Sequence, residues 1–283
     1  MNWLAKLHGL NRRWLYLGFL IILIIPFIWE IPMEPAKIAP GTQGVYDLVE
    51  SCPDDKVILI DSSWDAGSAA ENRAQLDCVI RHIISKKKKF VVTSAAVTVF
   101  APEFAEQVIR PVADSAGYEY GRDWVNLGYK IAPAGAIAVL VDSMCRDLHQ
   151  VFPNDYRGTA VKEIPIMQNV KSIEDVHFVY CVTYQPANDW MSIVKGVFGK
   201  PVAFAGMKIT EPYFAPFVDS GQLSGFLAGN GGAAEYEKLI NQPSMGTKLI
   251  IATSFGNCAV ILAAILGNLG LWAHRKINKG AGK

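Results

Sequence analysis

The chain has 283 residues, 51% of them hydrophobic and 19% charged, with 27 lysines and arginines against 26 acids. All 26 acids fall between Glu30 and Glu237, so the middle of the chain is acidic and nucleic acid is excluded as a partner. No internal repeat or low-complexity tract is present, which excludes a solenoid.

Residues 1–13 carry Lys6, Arg12 and Arg13 and no acid. Trp3, Leu4, Leu7 and Leu10 share one helical face there, the pattern of a cytoplasmic segment lying along a membrane surface. Residues 14–29 contain no ionisable side chain except Tyr16. As a helix they reach roughly 24 Å. Snorkelling of Arg12 and Arg13, with Ile31 and Met33 beyond, extends the match to a bilayer. Trp14 and Trp29 close the run where an indole prefers the interface, and Pro26 bends its last turn. We read the segment as a first transmembrane helix and uncleaved signal anchor. A cleaved signal peptide is the competing reading, but Glu34-Pro35-Ala36-Lys37 makes a poor cleavage site. Residues 30–44 hold Pro32, Pro35, Pro40, Gly41 and Gly44, which predicts an extended tether.

Residues 45–242 predict one extracytoplasmic domain. Apolar runs at 57–61, 90–93, 124–129, 176–183 and 202–205 read as strands. Helices are predicted at 45–52, 68–84, 102–116, 135–151, 188–198, 211–218 and 232–241. Short apolar strands alternating with helices indicate an α/β fold, with a parallel, doubly wound, Rossmann-like sheet covered on both faces. Lys86–Lys89 reads as a solvated helix-to-strand turn.

Residues 249–272 are 24 residues with no ionisable group except the Cys258 thiol. A helix of that length reaches roughly 36 Å and predicts a second transmembrane helix. Ala259, Ala263 and Gly267 share one face, where small side chains let another helix approach closely. Residues 273–283 form a basic tail with Arg275, Lys276, Lys279 and Lys283. Both outer flanks are basic and acid-free, which places both termini in the cytoplasm and the domain outside it, at the cell membrane. Residues 30–247 carry 19 basic and 26 acidic side chains, a balance of −7.

Ligands of open parallel sheets bind at the carboxyl ends of the strands. Those ends offer Asp61, Ser62, Ser63, Trp64 and Asp65 after the first strand, Thr93 and Ser94 after the second, and Tyr184 and Trp190 after a later one. The two carboxylates could accept bonds from a polar or cationic ligand, with the tryptophans stacking on it. The alternative is that these residues cap helices and fill the core. Gly229-Asn230-Gly231-Gly232-Ala233-Ala234 fits G-x-G-x-x-A but has no βαβ unit after it, so it reads as a turn and helix start. Gly221-Gln222-Leu223-Ser224-Gly225 has the wrong spacing for a nucleophile elbow. The five histidines show no H-x-x-x-H pair. No catalytic residue, metal site or cofactor is therefore assigned. Four cysteines lie in the domain, and Cys52 with Cys78 is the favoured disulfide, isolated thiols being the alternative.

The function expected is that of an interaction or structural subunit of a membrane assembly. Its partners would be lipid and either copies of itself or other membrane subunits. A small-molecule-binding or sensory domain is one alternative. An extracytoplasmic enzyme using Asp61 and Asp65 is another.

Overall fold

The computed structural model describes residues 11–29, 31, 37–95, 98–132, 136–183 and 188–281. The chain divides into two compact units, Glu34–Thr247 and the pair Met1–Met33 with Lys248–Lys283. The surface segment expected at 1–13 lies outside the described residues up to residue 10.

The larger unit is an α/β domain. Its elements are α2 (Pro40–Glu50), β1 (Val57–Ser63), α3 (Ala69–Ser85), β2 (Lys89–Ala95), α4 (Ala101–Ser115), β3 (Trp124–Lys130), α5 (Ile137–Arg146), α6 (Leu148–Val151), β4 (Val176–Thr183), α7 (Asn188–Trp190), β5 (Val202–Gly206), α8 (Glu211–Asp219), β6 (Gly225–Ala228) and α9 (Gly229–Leu239). The six strands form one sheet in the order β3-β2-β1-β4-β5-β6, all pairs parallel. That order reverses direction between β1 and β4, as in doubly wound sheets. Nearly every strand residue is buried, because helices cover both faces. Val57, Leu59, Val91, Val179 and Phe204 share one core with Met144, Trp190 and Phe214. Ile58, Ile60, Phe90, Phe178 and Tyr180 are buried as the alternate set, and α3 packs across β4 and β5.

Two expected helices are interrupted. Residues 135–151 are divided by Asp147, which is extended and whose carboxylate accepts the N–H groups of His149 (3.0 Å) and Gln150 (3.1 Å). The run after β4 is three α-helical residues continued by a π-helical turn, Met191–Lys195. The Lys86–Lys89 turn is as expected, with Lys86 paired to Glu50 at 2.8 Å and Lys88 to Asp54.

The tether shrinks. Residues 40–44 belong to α2, which starts on Pro40, a residue suited to a first helical turn. Ala39 offers no capping side chain. Glu235 of α9 supplies the cap, accepting the Ala39 N–H and the Thr42 hydroxyl, each at 2.8 Å. Gly41 and Gly44 then bring the helix against β6, the strand missing from the sequence reading.

Glu237 of α9 is fully buried. Its carboxylate accepts the N–H groups of Ser244, Gly246 and Thr247 at 2.8 Å each, and the Thr247 hydroxyl at 2.6 Å. Gly246 and Thr247 stand in the first turn of α10 (Met245–Ala281), where helix amides lack internal partners, and Ser244 immediately precedes it. Glu237→Gln replaces an acceptor by an N–H₂ facing N–H groups. It should cost about 2 kcal/mol of stability, read as a lower urea midpoint of the detergent-solubilised chain.

The smaller unit holds α1 (Arg12–Ile28), capped by the Asn11 side chain on the Arg13 N–H at 3.0 Å, and the rest of α10. Among the described helices only α10 is long and apolar enough to cross a membrane, over Met245–Ile277. The other expected span, α1, has 17 residues and reaches about 26 Å, short of a hydrocarbon core of about 30 Å. The two helices meet at Gly256, where a Cβ would lie 2.9 Å from Leu23. A groove of about 500 Å³ between them is lined by Trp14, Leu15, Phe19 and Ile22 of α1 and by Ala259, Val260 and Ala263 of α10. Gly267 faces open space.

Candidate functional site

The direction reversal of the sheet puts the carboxyl end of β1 at the centre of the domain. Strand register sets Asp61 between Thr93 of β2 and Cys181 of β4. Asp61 is 1% exposed. One carboxyl oxygen accepts the Ala95 N–H at 2.9 Å, and the other accepts the Ser63 hydroxyl at 2.8 Å. The Ser63 hydroxyl has a second acceptor, the Ala95 carbonyl at 3.1 Å, and the Ala95 N–H also reaches Ser63 Oγ at 2.9 Å. Burial pushes the Asp61 carboxyl up to about 7, against hydrogen bonds from Ser63, Ala95 and Trp190 that favour the charged form.

This triangle accommodates one proton in two ways. With Asp61 ionised, Ser63 donates to the carboxylate. With Asp61 protonated, its O–H donates to Ser63 Oγ, and the Ser63 hydroxyl turns to the Ala95 carbonyl. The heavy atoms need not move. Thr93 Oγ1, beside Asp61 in the register, is buried and has no partner among the described residues.

The other expected ligand residues go elsewhere. Trp64 is buried, stacks on Phe104 at 5.3 Å and donates its indole N–H to Ser62 Oγ at 2.8 Å. Trp190 is buried in the core. Neither tryptophan offers a free face, so stacking on a ligand is corrected to core packing. The Ser94 hydroxyl donates to the Ser62 carbonyl at 2.8 Å. Asp65 accepts the Ser68 N–H at 3.1 Å and closes the turn before α3. Tyr184 lies outside the described residues.

Sequence reasoning missed Asn72 and Gln75. Both are fully buried on α3. Gln75 Nε2 donates to the carbonyls of Gly206 (2.7 Å) and Leu227 (3.0 Å), tying β5 and β6 together, and its Oε1 accepts from Asn72 at 2.9 Å. Asn72 Oδ1 has no partner among the described residues. The available signal was spacing, since Asn72 extends the stripe of Leu76, Val79 and Ile83 by one turn.

The glycine-rich run passes directly from β6 into α9, three residues before the expected start. Gly229 has φ +57°, and a Cβ there would sit 2.5 Å from the Glu71 carboxylate, which accepts the Lys208 N–H at 2.8 Å. A Cβ on Gly232 would meet the Leu227 backbone at 2.9 Å. An acid of the chain itself occupies this helix start, and the third glycine serves strand-to-helix packing.

All five cysteines are free, which corrects the Cys52–Cys78 disulfide. Cys78 points into the core from α3 and donates to the Gln75 carbonyl at 3.4 Å, whereas Cys52 contacts the Pro53 carbonyl beyond α2. Burial pushes both thiols up, Cys52 to about 11. His82 is buried between Tyr236 Oη (2.7 Å) and Glu50 (3.1 Å), and burial lowers its pKa. Lys86 beside Glu50 draws that carboxyl down to about 2. No group of three or more His, Cys, Asp or Glu side chains suited to a metal occurs among the described residues. Comparison with known proteins finds no match: no protein family, no curated protein and no solved structure aligns with this chain.

Proposed function

We propose that this chain is a two-pass membrane protein presenting its α/β domain outside the cytoplasm as an interaction or structural subunit of a membrane assembly. One observation carries the reading. α1 and α10 both leave apolar side chains exposed around their length, among them Leu15, Leu20, Ile24 and Phe27 on one, and Val260, Leu262, Ile265 and Leu269 on the other. Such surfaces are unfavourable in water and suit hydrocarbon. Trp14, Trp29 and Trp272 stand at the ends of the apolar stretches, and a thinned bilayer accommodates the shorter helix. The acid-free basic flanks favour cytoplasmic placement of both ends. At the sheet's carboxyl end, Asp61, Ser63 and Asp65 are engaged in hydrogen bonds within the chain, which favours presentation over an enzyme. Partners are lipid and further membrane subunits, copies of the chain included.

Alkaline carbonate extraction tests the placement. The chain should remain with the membrane pellet, and Leu262→Arg with Ile265→Arg in α10 should sharply reduce that fraction. Recovery of the unaltered chain in the supernatant contradicts it.

The Asp61–Ser63–Ala95 triangle favours a second reading, a sensory domain that responds to protons. It predicts a pH-dependent difference in amide exchange at Ala95 that Asp61→Asn abolishes. An exchange rate that tracks only the chemical pH dependence rejects it.

A further inference from the structure

We infer that α10 pairs with α10 of a second copy of the chain through the outward carboxamides of Asn257 and Asn268, an inference that rests on the membrane placement proposed above. The expected helix-contact face is already engaged within the chain: Gly256 packs on Leu23, and Ala259 and Ala263 line the groove against α1. Asn257 lies roughly 100–160° around the helix from those positions. Asn268 follows eleven residues later, about three turns, and returns to within roughly 20° of the same face. Both asparagines are exposed.

Their hydrogen bonds are incomplete. Thr253, on the same face, donates its hydroxyl to the Leu249 carbonyl at 2.9 Å. Asn268 Nδ2 donates to the Ala264 carbonyl at 2.8 Å, which leaves its oxygen to find a donor. Asn257 has no hydrogen-bond partner among the described residues. In water these amides would be hydrated, but in hydrocarbon an unmatched amide is costly and draws helices together.

A second copy fits this face better than an unlike helix. All copies insert in the same orientation, so a two-fold axis along the membrane normal sets each residue opposite its own counterpart. A carboxamide carries both donor and acceptor, so Asn257 can pair with Asn257 of the second copy, and Asn268 with Asn268. The two positions in phase make two such pairs available along one seam.

The test uses the full chain reconstituted in liposomes, with self-association read by energy transfer between donor- and acceptor-labelled copies. Alkaline resistance is measured on the same vesicles. The unaltered chain should associate, Asn257→Leu with Asn268→Leu should weaken association about tenfold or more, and Asn257→Gln should largely retain it. In a Cys258→Ser background, Ile261→Cys, on the asparagine face, should form a disulfide-linked dimer on oxidation, and Ala263→Cys should not. Carbonate-resistant chain that is monomeric, or that associates equally with both leucines, overturns the pairing and leaves the membrane placement standing. Chain released by carbonate overturns the placement and the pairing with it.

Discussion

Asp61→Asn should flatten a fall in stability of roughly 4 kcal/mol that the unaltered chain shows as pH rises from about 4 to about 7. Burial raises the folded-state pKa of this carboxyl from 3.8 to about 7. The folded state therefore holds a proton that the unfolded state has released, and stability drops across that window. Below it both states are protonated, and above it the cost of an ionised buried carboxylate is complete. Asparagine reproduces the protonated arrangement: its oxygen accepts the Ala95 N–H, its N–H₂ donates to Ser63 Oγ, and Ser63 donates to the Ala95 carbonyl. Other groups act in neighbouring windows. Glu50, drawn down to about 2, contributes stability above its unfolded value of 4.5 that is lost as pH falls towards 2. His82, whose pKa burial lowers, costs stability as pH falls below about 6.5. The difference between unaltered and variant urea midpoints, taken at intervals from pH 4.5 to 7.5, isolates Asp61. Parallel curves for the two proteins would show that Asp61 does not titrate in this window.

Gly44→Ala should destabilise the domain by about 3 kcal/mol. A Cβ at this position would overlap the Ser224 carbonyl, which is backbone and cannot swing aside, so α2 would have to lift from β6. Gly225→Ala meets the same obstacle from the strand, with a Cβ 2.5 Å from the Val45 nitrogen. Gly231→Ala is the contrast. It lies in α9 with nothing within 4 Å of a Cβ and should stabilise by about 0.5 kcal/mol through helix propensity. Urea midpoints of the three variants check the set. Equal effects at Gly44 and Gly231 would mean that the α2–β6 contact is not close-packed.

Much of the fold was legible because burial on both faces leaves a plain trace. β1, β2, β4 and β5 are apolar and β-branched runs, and their alternation with amphipathic helices implied parallel pairing. β6 was not legible, since Gly225-Phe226-Leu227-Ala228 is too short and too rich in small residues to show a period. The first turn of α2 was hidden by the same glycines that seat it on β6, because Gly41 and Gly44 signal a flexible chain when no partner strand is in view; only the part from Val45 onward showed as a helix. At the site, the residue types at the strand ends were found, but their directions were not. Side chains alternate across a strand, so Trp64 turns away from Asp61 and onto Phe104. The raised pKa of Asp61 comes from burial, and the Ala95 N–H that opposes it reaches across 34 residues of chain, a contact that local spacing does not encode. Asn72 and Gln75 drew no reading from the sequence, because polar residues on a helix usually face solvent.

The placement of the domain outside the cytoplasm is tested most directly by labelling intact cells with a membrane-impermeant maleimide. The four domain cysteines are buried, so in a Cys258→Ser background one introduced cysteine at a time reports its own location. Asp114→Cys, on the exposed side of α4, should react in intact cells, and Lys276→Cys, in the basic end of α10, should react only after the cells are opened. Reaction of Lys276→Cys in intact cells with Asp114→Cys protected would contradict the account.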